Sequence, residues 1–345
     1  MDQAAVALST GEHRAATTPI SVILAPTSKL AKEFKEKYSP EYTIECEYGA
    51  VVVEGTVFTG AHHQSIGKYA RDINPSPCNN PAIPIAEDNS TFLVSHLDLD
   101  TIGGIMRALK EYSSVFNDNQ SFWSFAEYID LNGSHKIDYY PDFKGMDDEE
   151  ISRLKNFLYS FYGWRKNNKM DLESNDDISI ITGFFRKAAT AIHNILAEDP
   201  YHLEYGKDLV FSNTKLNKES YWFTKEIPRE KENDPFRVFF RKSSSPTHYL
   251  YSHPRDSTRA DAIVSWNESS GSITLSYFDS EPTAEIAGPA SDVMKTIWGS
   301  EAGGHPGCAG TPRGLYCEAG DIEKIFSELV YRISILSASN GNIPF

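Results

Sequence analysis

Two short apolar runs, each leading into a helix-like segment, restrict the fold more than any other feature of the chain. Residues 20–26, ISVILAP, and residues 91–96, TFLVSH, have the composition of short buried strands. SKLAKEFKEKYS follows the first run, and DTIGGIMRALKEYS lies beyond the second with apolar residues at helical spacing. Strands that alternate with helices predict an α/β fold, in which functional groups lie outside the carboxyl ends of the strands.

The chain of 345 residues is long enough for two domains. Residues 148–200 have helical patterns, and residues 227–235, IPREKENDP, are charged and flanked by proline, as interdomain linkers are. Beyond them lie β-rich runs, FRVFFRK, THYLYS, ADAIVSWNES and SITLSYF, with ESSGS predicting a hairpin turn between the last two. We therefore predict one domain over residues 1–235 and a smaller one over residues 236–345. A further strand is predicted at residues 124–131, SFAEYIDL.

Charge and cysteine usage exclude several classes of protein. The net charge of −15 argues against a broad electrostatic grip on a long phosphate polymer, whereas a small or short anionic substrate is compatible with it. No stretch of about 18 uncharged apolar residues and no signal-peptide pattern is present, so no membrane association is expected. The four cysteines lie far apart without a CxxC pair, which predicts neither a disulfide framework nor a cysteine zinc site. A cytoplasmic location fits this pattern.

The motif SHLDLD places His96, Asp98 and Asp100 at alternate positions directly after an apolar strand. An imidazole and two carboxylates that converge there suit a divalent ion such as Mn²⁺. The alternative is that one aspartate caps the following helix while His96 only forms a hydrogen bond. Because a cap accounts for one acid and not for all three groups, we favour a metal site.

Two further sets of groups could join this site. His62 and His63 in GAHHQS end a predicted strand, and such a pair can divide its work between a metal ion and a phosphate oxygen. Taken alone, the pair is a weak signal and is more typical of two ordinary surface or loop histidines. Asp130 closes the predicted strand at residues 124–131 and would supply the bridging carboxylate of a two-metal site, with an Asx-turn as the alternative.

The segment GGHPGCAG at residues 303–310 has closely spaced glycines and a histidine. Gly303 and Gly304 would let the backbone approach an anionic ligand, and His305 would add a side-chain donor. The alternative is a tight loop before the last helix.

SHLDLD with its glycine-containing helix, together with GGHPGCAG before a final helix, resembles the DHH phosphoesterase superfamily, which pairs a DHH domain with a DHH-associated C-terminal domain. The GGHxxAAG signature is matched except that Cys308 stands at the first alanine. The only His-His pair precedes SHLDLD, and Ala61 stands where the family has aspartate. Either the order of the motifs is rearranged in this chain, or the pair is a coincidence.

The resemblance implies a mostly parallel N-terminal sheet flanked by helices that carries two Mn²⁺ ions, with Mg²⁺ as the alternative. It also implies a smaller C-terminal α/β domain on a mixed sheet, which holds the nucleotide or terminal phosphate. The expected metal ligands are His62, His96, Asp98, Asp100 and Asp130, with Asp72 in reserve. Substrate contacts are expected from Gly303, Gly304, His305 and Arg313, and catalytic roles from His63, Asp98 and His305.

The expected function is hydrolysis of a small nucleotide, or of the end of a short oligonucleotide, by a metal-activated water molecule. Ala61 and the incomplete metal set motivate an alternative, an inactive nucleotide- or partner-binding protein on the same scaffold. An amide or ester hydrolase would use the same ligands but would not need the glycine-rich phosphate loop. Arg255 and Arg259 are further candidates for phosphate contact, and the oligomeric state stays open.

Overall fold

The computed structural model describes residues 18–48, 51–64, 67–70, 73–168, 177–229, 234–312 and 314–339. The chain divides into two compact units. The first unit comprises Met1–Leu131 and Tyr140–Asp208, and the second comprises Asn132–Tyr139 and Leu209–Phe345. The division between Asp208 and Leu209 lies inside a helix, whereas the predicted boundary at residues 235/236 lies between two strands of one sheet.

The first unit contains a parallel sheet, as the sequence predicts for an α/β fold. Its strands are β1 (Ile20–Leu24), β2 (Tyr42–Ile44), β5 (Phe58–Gly60) and β6 (Ser90–Val94), and β3 (Glu47–Tyr48) pairs with β4 (Val51–Val52) in a separate ribbon. The order across the sheet is β1-β6-β2-β5, and every pairing in it is parallel. The carboxyl ends of β6, β2 and β5 therefore lie side by side at one edge.

Helices flank this sheet and complete the first unit. They are α1 (Ser28–Tyr38), α2 (Leu99–Ala108), α3 (Ser113–Asn117), α4 (Gln120–Asn132), α5 (Asp148–Asn167), α6 (Ile178–Leu196) and α7 (Pro200–Ser220), of which α7 continues into the second unit. The predicted strand at residues 124–131 is wrong, because this segment belongs to α4. The buried residues Phe122, Phe125, Ala126 and Ile129 recur at helical spacing, which places them on one side of a helix.

The paired glycines of α2 allow the loop at residues 76–79 to lie directly on that helix. A Cβ atom at Gly103 would be 2.6 Å from the Cβ of Cys78, and one at Gly104 would be 2.7 Å from the Cβ of Pro77. Any larger residue would push the loop away. The glycines thereby bring Ser76 and Cys78 to the first turn of α2.

The second unit is built on a mixed sheet of six strands in the order β11-β12-β10-β9-β8-β7. Its strands are β7 (Tyr221–Ile227), β8 (Phe236–Ser243), β9 (Ala262–Asn267), β10 (Ile273–Tyr277), β11 (Gly303–His305) and β12 (Cys308–Gly310), and its remaining helices are α8 (Ser280–Ala287), α9 (Ala290–Trp298) and α10 (Ile322–Ser339). β8 and β9 are parallel, and the other pairs are antiparallel. The predicted mixed C-terminal sheet and the hairpin between β9 and β10 are confirmed.

One local prediction for this unit differs from the structure. THYLYS forms turns and a single bridge, from Ser252 to Arg259, instead of a strand. GGHPGCAG, for which a tight loop was the alternative, forms the β11–β12 hairpin at the edge of the sheet. One face of the sheet packs its buried side chains, such as Phe240 and Leu275, in a core with residues of α9 and α10. Within the described residues, no helix is both long enough and apolar enough to cross a membrane.

Candidate metal centre

Glu45 follows β2 directly and holds an unusual backbone conformation. Its φ angle is +57°, in the left-handed region that non-glycine residues avoid. Two contacts hold it there: its N–H donates to the carbonyl of Gly60 at 2.8 Å, and its carbonyl accepts a hydrogen bond from the hydroxyl of Ser95. The conformation directs a carboxylate of a residue that is only 3% exposed toward two histidines. Strain of this kind is frequent at functional sites.

His62 and His63 follow β5 and meet the carboxylate of Glu45. Nε2 of His62 lies 3.1 Å from Oε1 of Glu45, and Nε2 of His63 lies 2.8 Å from Oε2. The carboxylate of Glu47 accepts hydrogen bonds from the backbone N–H groups of His62, at 2.9 Å, and His63, at 3.1 Å. Glu47 thus fixes the backbone of both histidines, as the outer partners of metal ligands do.

Asp100 and Asp130 approach the same point from two helices. Asp100, in the first turn of α2, accepts hydrogen bonds through Oδ1 from the hydroxyl of Ser76 at 2.5 Å and the N–H of Cys78 at 2.7 Å. Its other oxygen, Oδ2, lies 3.6 Å from Nε2 of His62. Oδ2 of Asp130, on α4, lies 3.3 Å from the same nitrogen. The ligand atoms of His62, Asp100 and Asp130 all lie within 4.8 Å of one another.

Buried polar atoms without hydrogen-bond partners converge at this point. Among the atoms that the structure describes, Oε1 of Glu45, Nε2 of His62 and Oδ2 of Asp100 are buried and have no hydrogen-bond partner. Unpaired buried polar atoms are costly and call for an explanation. Ligand bonds of about 2.1 Å place neighbouring ligand atoms of one ion about 3 Å apart, close to the separations of 3.1 to 3.6 Å found around His62. The residues therefore fit one divalent cation, and mixed imidazole and carboxylate ligands suit Mn²⁺ among others.

Burial and mutual repulsion also make the ionised carboxylates of this centre unfavourable. Burial raises the pKa of Asp100 well above its usual value, and the charges of Asp130 and Glu45 raise it further. Burial opposes protonation of His62, but the nearby carboxylates of Asp130 and Glu45 outweigh it and raise its pKa to about 11. Carboxylates this close repel one another unless a cation lies between them. A divalent ion would supply the missing positive charge.

His96 and Asp98 lie at the exposed rim of the centre and pair with each other. Asp98 is the N-cap of α2: its Oδ1 accepts from the N–H of Thr101 at 2.9 Å, and its Oδ2 lies 2.9 Å from Nε2 of His96. The other ring nitrogen of His96 lies 2.7 Å from the hydroxyl of Ser95. The side chains of His96 and Asp98 are 49% and 44% exposed. The helix-cap alternative thus describes Asp98, and of the three residues in the motif only Asp100 points a free oxygen at His62.

The remaining predicted site residues lie in the second unit or outside the described residues. Asp72 and Arg313 are among the residues that are not described. Gly303, Gly304 and His305 form β11, in the second unit. Gly304 has a φ angle of +149°, and a Cβ atom there would be 2.4 Å from the carbonyl oxygen of Cys308, so the hairpin requires glycine at this position.

The two arginines considered for phosphate contact also belong to the second unit. Arg255 is exposed in a turn, and Arg259 lies over the ring of Phe278 at 4.2 Å. Sequence reasoning missed Glu45 and Glu47. The signal that could have found them is TIECE, where acids at alternate positions follow a β-rich run, as in SHLDLD.

Comparisons with known proteins do not assign a family. No family model matches the chain, and no curated protein matches it. A solved structure described as an uncharacterized protein from Helicobacter pylori G27 aligns with 71% of this chain and 69% of that chain, at 11% sequence identity and a TM-score of 0.19. Similarity at this level carries no argument about fold or activity.

Proposed function

We propose that this chain is a divalent-metal-dependent phosphoesterase of the DHH type with a rearranged order of motifs. Its substrate would be a small nucleotide or the end of a short oligonucleotide, and Mn²⁺ is the expected ion, with Mg²⁺ as the alternative. The observation that carries the proposal is the convergence of unpaired buried atoms from Glu45, His62 and Asp100 at the carboxyl edge of a parallel sheet. Open α/β sheets bind their ligands at this edge.

The residues of the centre divide into a buried side and an accessible side. Glu45, His62 and Asp100 would hold the ion from the interior, since each is almost fully buried. Asp130 and His63, whose side chains are 18% and 26% exposed, face the side from which a substrate can approach. When bound, a divalent ion neutralises charge on a phosphoryl group and lowers the pKa of water. His63, held by Glu45, would donate to a phosphoryl oxygen.

A second cation would complete the two-metal arrangement that the resemblance implies. His96 and Asp98, which pair with each other and are partly exposed, would bind this second ion in place of their mutual contact. The glycine-rich hairpin of the second unit favours a phosphoester over an amide or carboxylic ester, because closely approaching backbone N–H groups suit anionic oxygens. All four cysteines are unpaired, which suits a reducing compartment such as the cytoplasm.

Metal analysis followed by turnover assays tests this function. The purified protein is expected to retain or bind Mn²⁺ and to hydrolyse at least one member of a panel of short RNA, short DNA, cyclic dinucleotides and phosphorylated nucleotides. His62→Ala should lose metal and turnover, whereas Asp118→Asn, at an exposed aspartate of the same unit, should keep both. A protein that binds no divalent ion contradicts the proposal. One that binds the ion and the nucleotide without turnover supports the inactive binding protein instead.

A further inference from the structure

Helix α5 brings a guanidinium group to the rim of the metal centre. Nε of Arg165 donates to the backbone carbonyl of Leu97 at 3.4 Å, and Leu97 lies between His96 and Asp98 in the chain. The guanidinium also lies over the ring of Phe184, 4.7 Å from the ring centroid. These two contacts hold the base of the guanidinium beside Asp98.

The outer N–H groups of Arg165 have no partner among the residues that the structure describes. Within the residues that the structure describes, no carboxylate lies within ion-pair distance of Arg165, and its only hydrogen bond is the one to Leu97. The side chain is partly buried, and burial lowers its pKa although the charge of Asp98 favours the protonated form. A desolvated cation with free donors is costly unless an anion satisfies it.

Tyr162 lies one helical turn before Arg165, so both side chains share a face of α5. Burial raises the pKa of the Tyr162 phenol, and the nearby charges of Asp98 and Asp130 raise it further. The hydroxyl is therefore a donor at neutral pH, and it has no hydrogen-bond partner in the described part of the chain. Two donors without partners in the described part of the chain thus lie close enough to Asp98 to interact with its charge, and Asp98 is partly exposed.

The charge of the centre favours such donors for a phosphoester. The carboxylates of Glu45, Asp98, Asp100 and Asp130 outweigh the charge of one divalent ion and only balance that of two, so a further cation would strengthen the binding of an anionic substrate. Arg is the side chain best suited to this task, because its planar fork can bind two phosphoryl oxygens at once.

We propose that Arg165, assisted by Tyr162, is the phosphoryl-binding group of this centre. The guanidinium would bind two non-bridging oxygens of the phosphate group in a nucleotide or oligonucleotide end, and the Tyr162 hydroxyl would donate to the same group. This inference rests on the proposed function, since it assigns the contact that holds the anionic substrate beside the ion.

Inorganic phosphate is a suitable probe, because it reports binding without requiring turnover. Calorimetric titration of the Mn²⁺-loaded protein is expected to show phosphate binding that Arg165→Gln weakens by roughly 10- to 100-fold, the range for charge-assisted hydrogen bonds. Tyr162→Phe should weaken it by a few fold, and both variants should keep the Mn²⁺ affinity of the wild type. Arg153→Gln is the matched control, because Arg153 lies on the same helix but pairs with Glu198.

The outcomes separate this inference from the function on which it rests. Wild-type protein that binds Mn²⁺ and phosphate, together with an Arg165→Gln variant that binds phosphate equally well, overturns the inference and leaves the function standing. Mn²⁺-loaded wild type that binds no phosphate and shows no turnover overturns both. Loss of Mn²⁺ affinity in a folded Arg165→Gln variant, with unchanged thermal unfolding, would mean that Arg165 supports the metal ligands instead of the substrate.

Discussion

Replacing Asp100 by asparagine separates the contribution of this carboxylate to the ion-free fold from its contribution to metal binding. The asparagine side chain would keep an oxygen in the position of Oδ1, so the hydrogen bonds from Ser76 and Cys78 survive. The substitution changes Oδ2, which lies 3.6 Å from Nε2 of His62 and within 4.8 Å of the ligand oxygen of Asp130.

In the ion-free protein the two charge effects nearly cancel. With an effective dielectric constant of about 20, the attraction between Asp100 and a protonated His62 is about 4.6 kcal/mol, and the repulsion from an ionised Asp130 is at least about 3.5 kcal/mol, to which the charge of Glu45 adds. Removing a buried charge also removes its desolvation cost. We therefore expect the free energy of unfolding without metal to change by no more than about 1 kcal/mol.

With metal present, the same substitution should have a large effect. At a Mn²⁺ concentration about 100 times the dissociation constant, binding stabilises the wild type by about 2.7 kcal/mol. Removal of a residue that only orients a metal ligand reduces metal affinity by up to about 100-fold, so removal of a ligand itself should reduce metal affinity at least as much. A loss of about 100-fold reduces the stabilisation to about 0.4 kcal/mol at the same Mn²⁺ concentration.

Urea unfolding of wild type, Asp100→Asn and the control Asp118→Asn, each with and without Mn²⁺, measures both quantities. The control should show the wild-type response to Mn²⁺. A full Mn²⁺ response in Asp100→Asn would refute the assignment of Asp100 as a ligand. A loss of several kcal/mol in its ion-free form would refute the cancellation of charges.

Three further changes test the supporting structure. Glu47→Gln should weaken Mn²⁺ affinity by about 10- to 100-fold in a metal titration. The control is Glu41→Gln, which changes a carboxylate that accepts a hydrogen bond from the N–H of Thr91 at 2.8 Å and should leave Mn²⁺ affinity unchanged. Equal Mn²⁺ affinities of the two variants would contradict the role of Glu47. Gly103→Ala should destabilise the protein by about 1 to 3 kcal/mol through overpacking, while Gly183→Ala, with nothing within 4 Å of the new Cβ, should be neutral or stabilising in thermal unfolding. Burial lowers the pKa of His135 to about 4, so the unfolded state binds a proton that the folded state does not, and stability should fall by on the order of 3 kcal/mol as pH drops from about 6.5 to about 4. His135→Gln should flatten that part of the urea-midpoint profile, and an unchanged slope would contradict the assignment.

Sequence patterns predicted well those elements whose buried apolar side chains recur at a regular spacing along the chain. β1, α1, β6 and α2 lie where the apolar runs placed them, and His62 follows the end of a strand as expected. The strand prediction for residues 124–131 was wrong because aromatic and apolar residues occur in both strands and helices. The spacing of the buried residues Phe122, Phe125 and Ile129 is that of a helix. Asp130 nevertheless belongs to the candidate centre, since its position on α4 brings it to His62 by another route.

Glu45 escaped prediction because nothing local identifies it. Its left-handed conformation depends on Gly60 and Ser95, which lie on other segments, so the direction of its carboxylate is a tertiary property. The alternation in SHLDLD misled for a related reason. A cap at Asp98 and an inward carboxylate at Asp100 are both compatible with the same spacing, and only the loop that carries Ser76 and Cys78 distinguishes the inward one.

Strand order, more than chain order, decides which residues share this centre. β2 lies between β6 and β5 in the parallel sheet, although it precedes both in the chain. The residue that follows β2 is therefore flanked by the groups that follow the other two strands, and Glu45 is that residue. A histidine pair that precedes an aspartate motif in sequence can thus meet it at one edge, because parallel strands about 4.8 Å apart end side by side. The unusual motif order is therefore compatible with the proposed metal site, and it makes Glu45, directly after β2, a further proposed ligand.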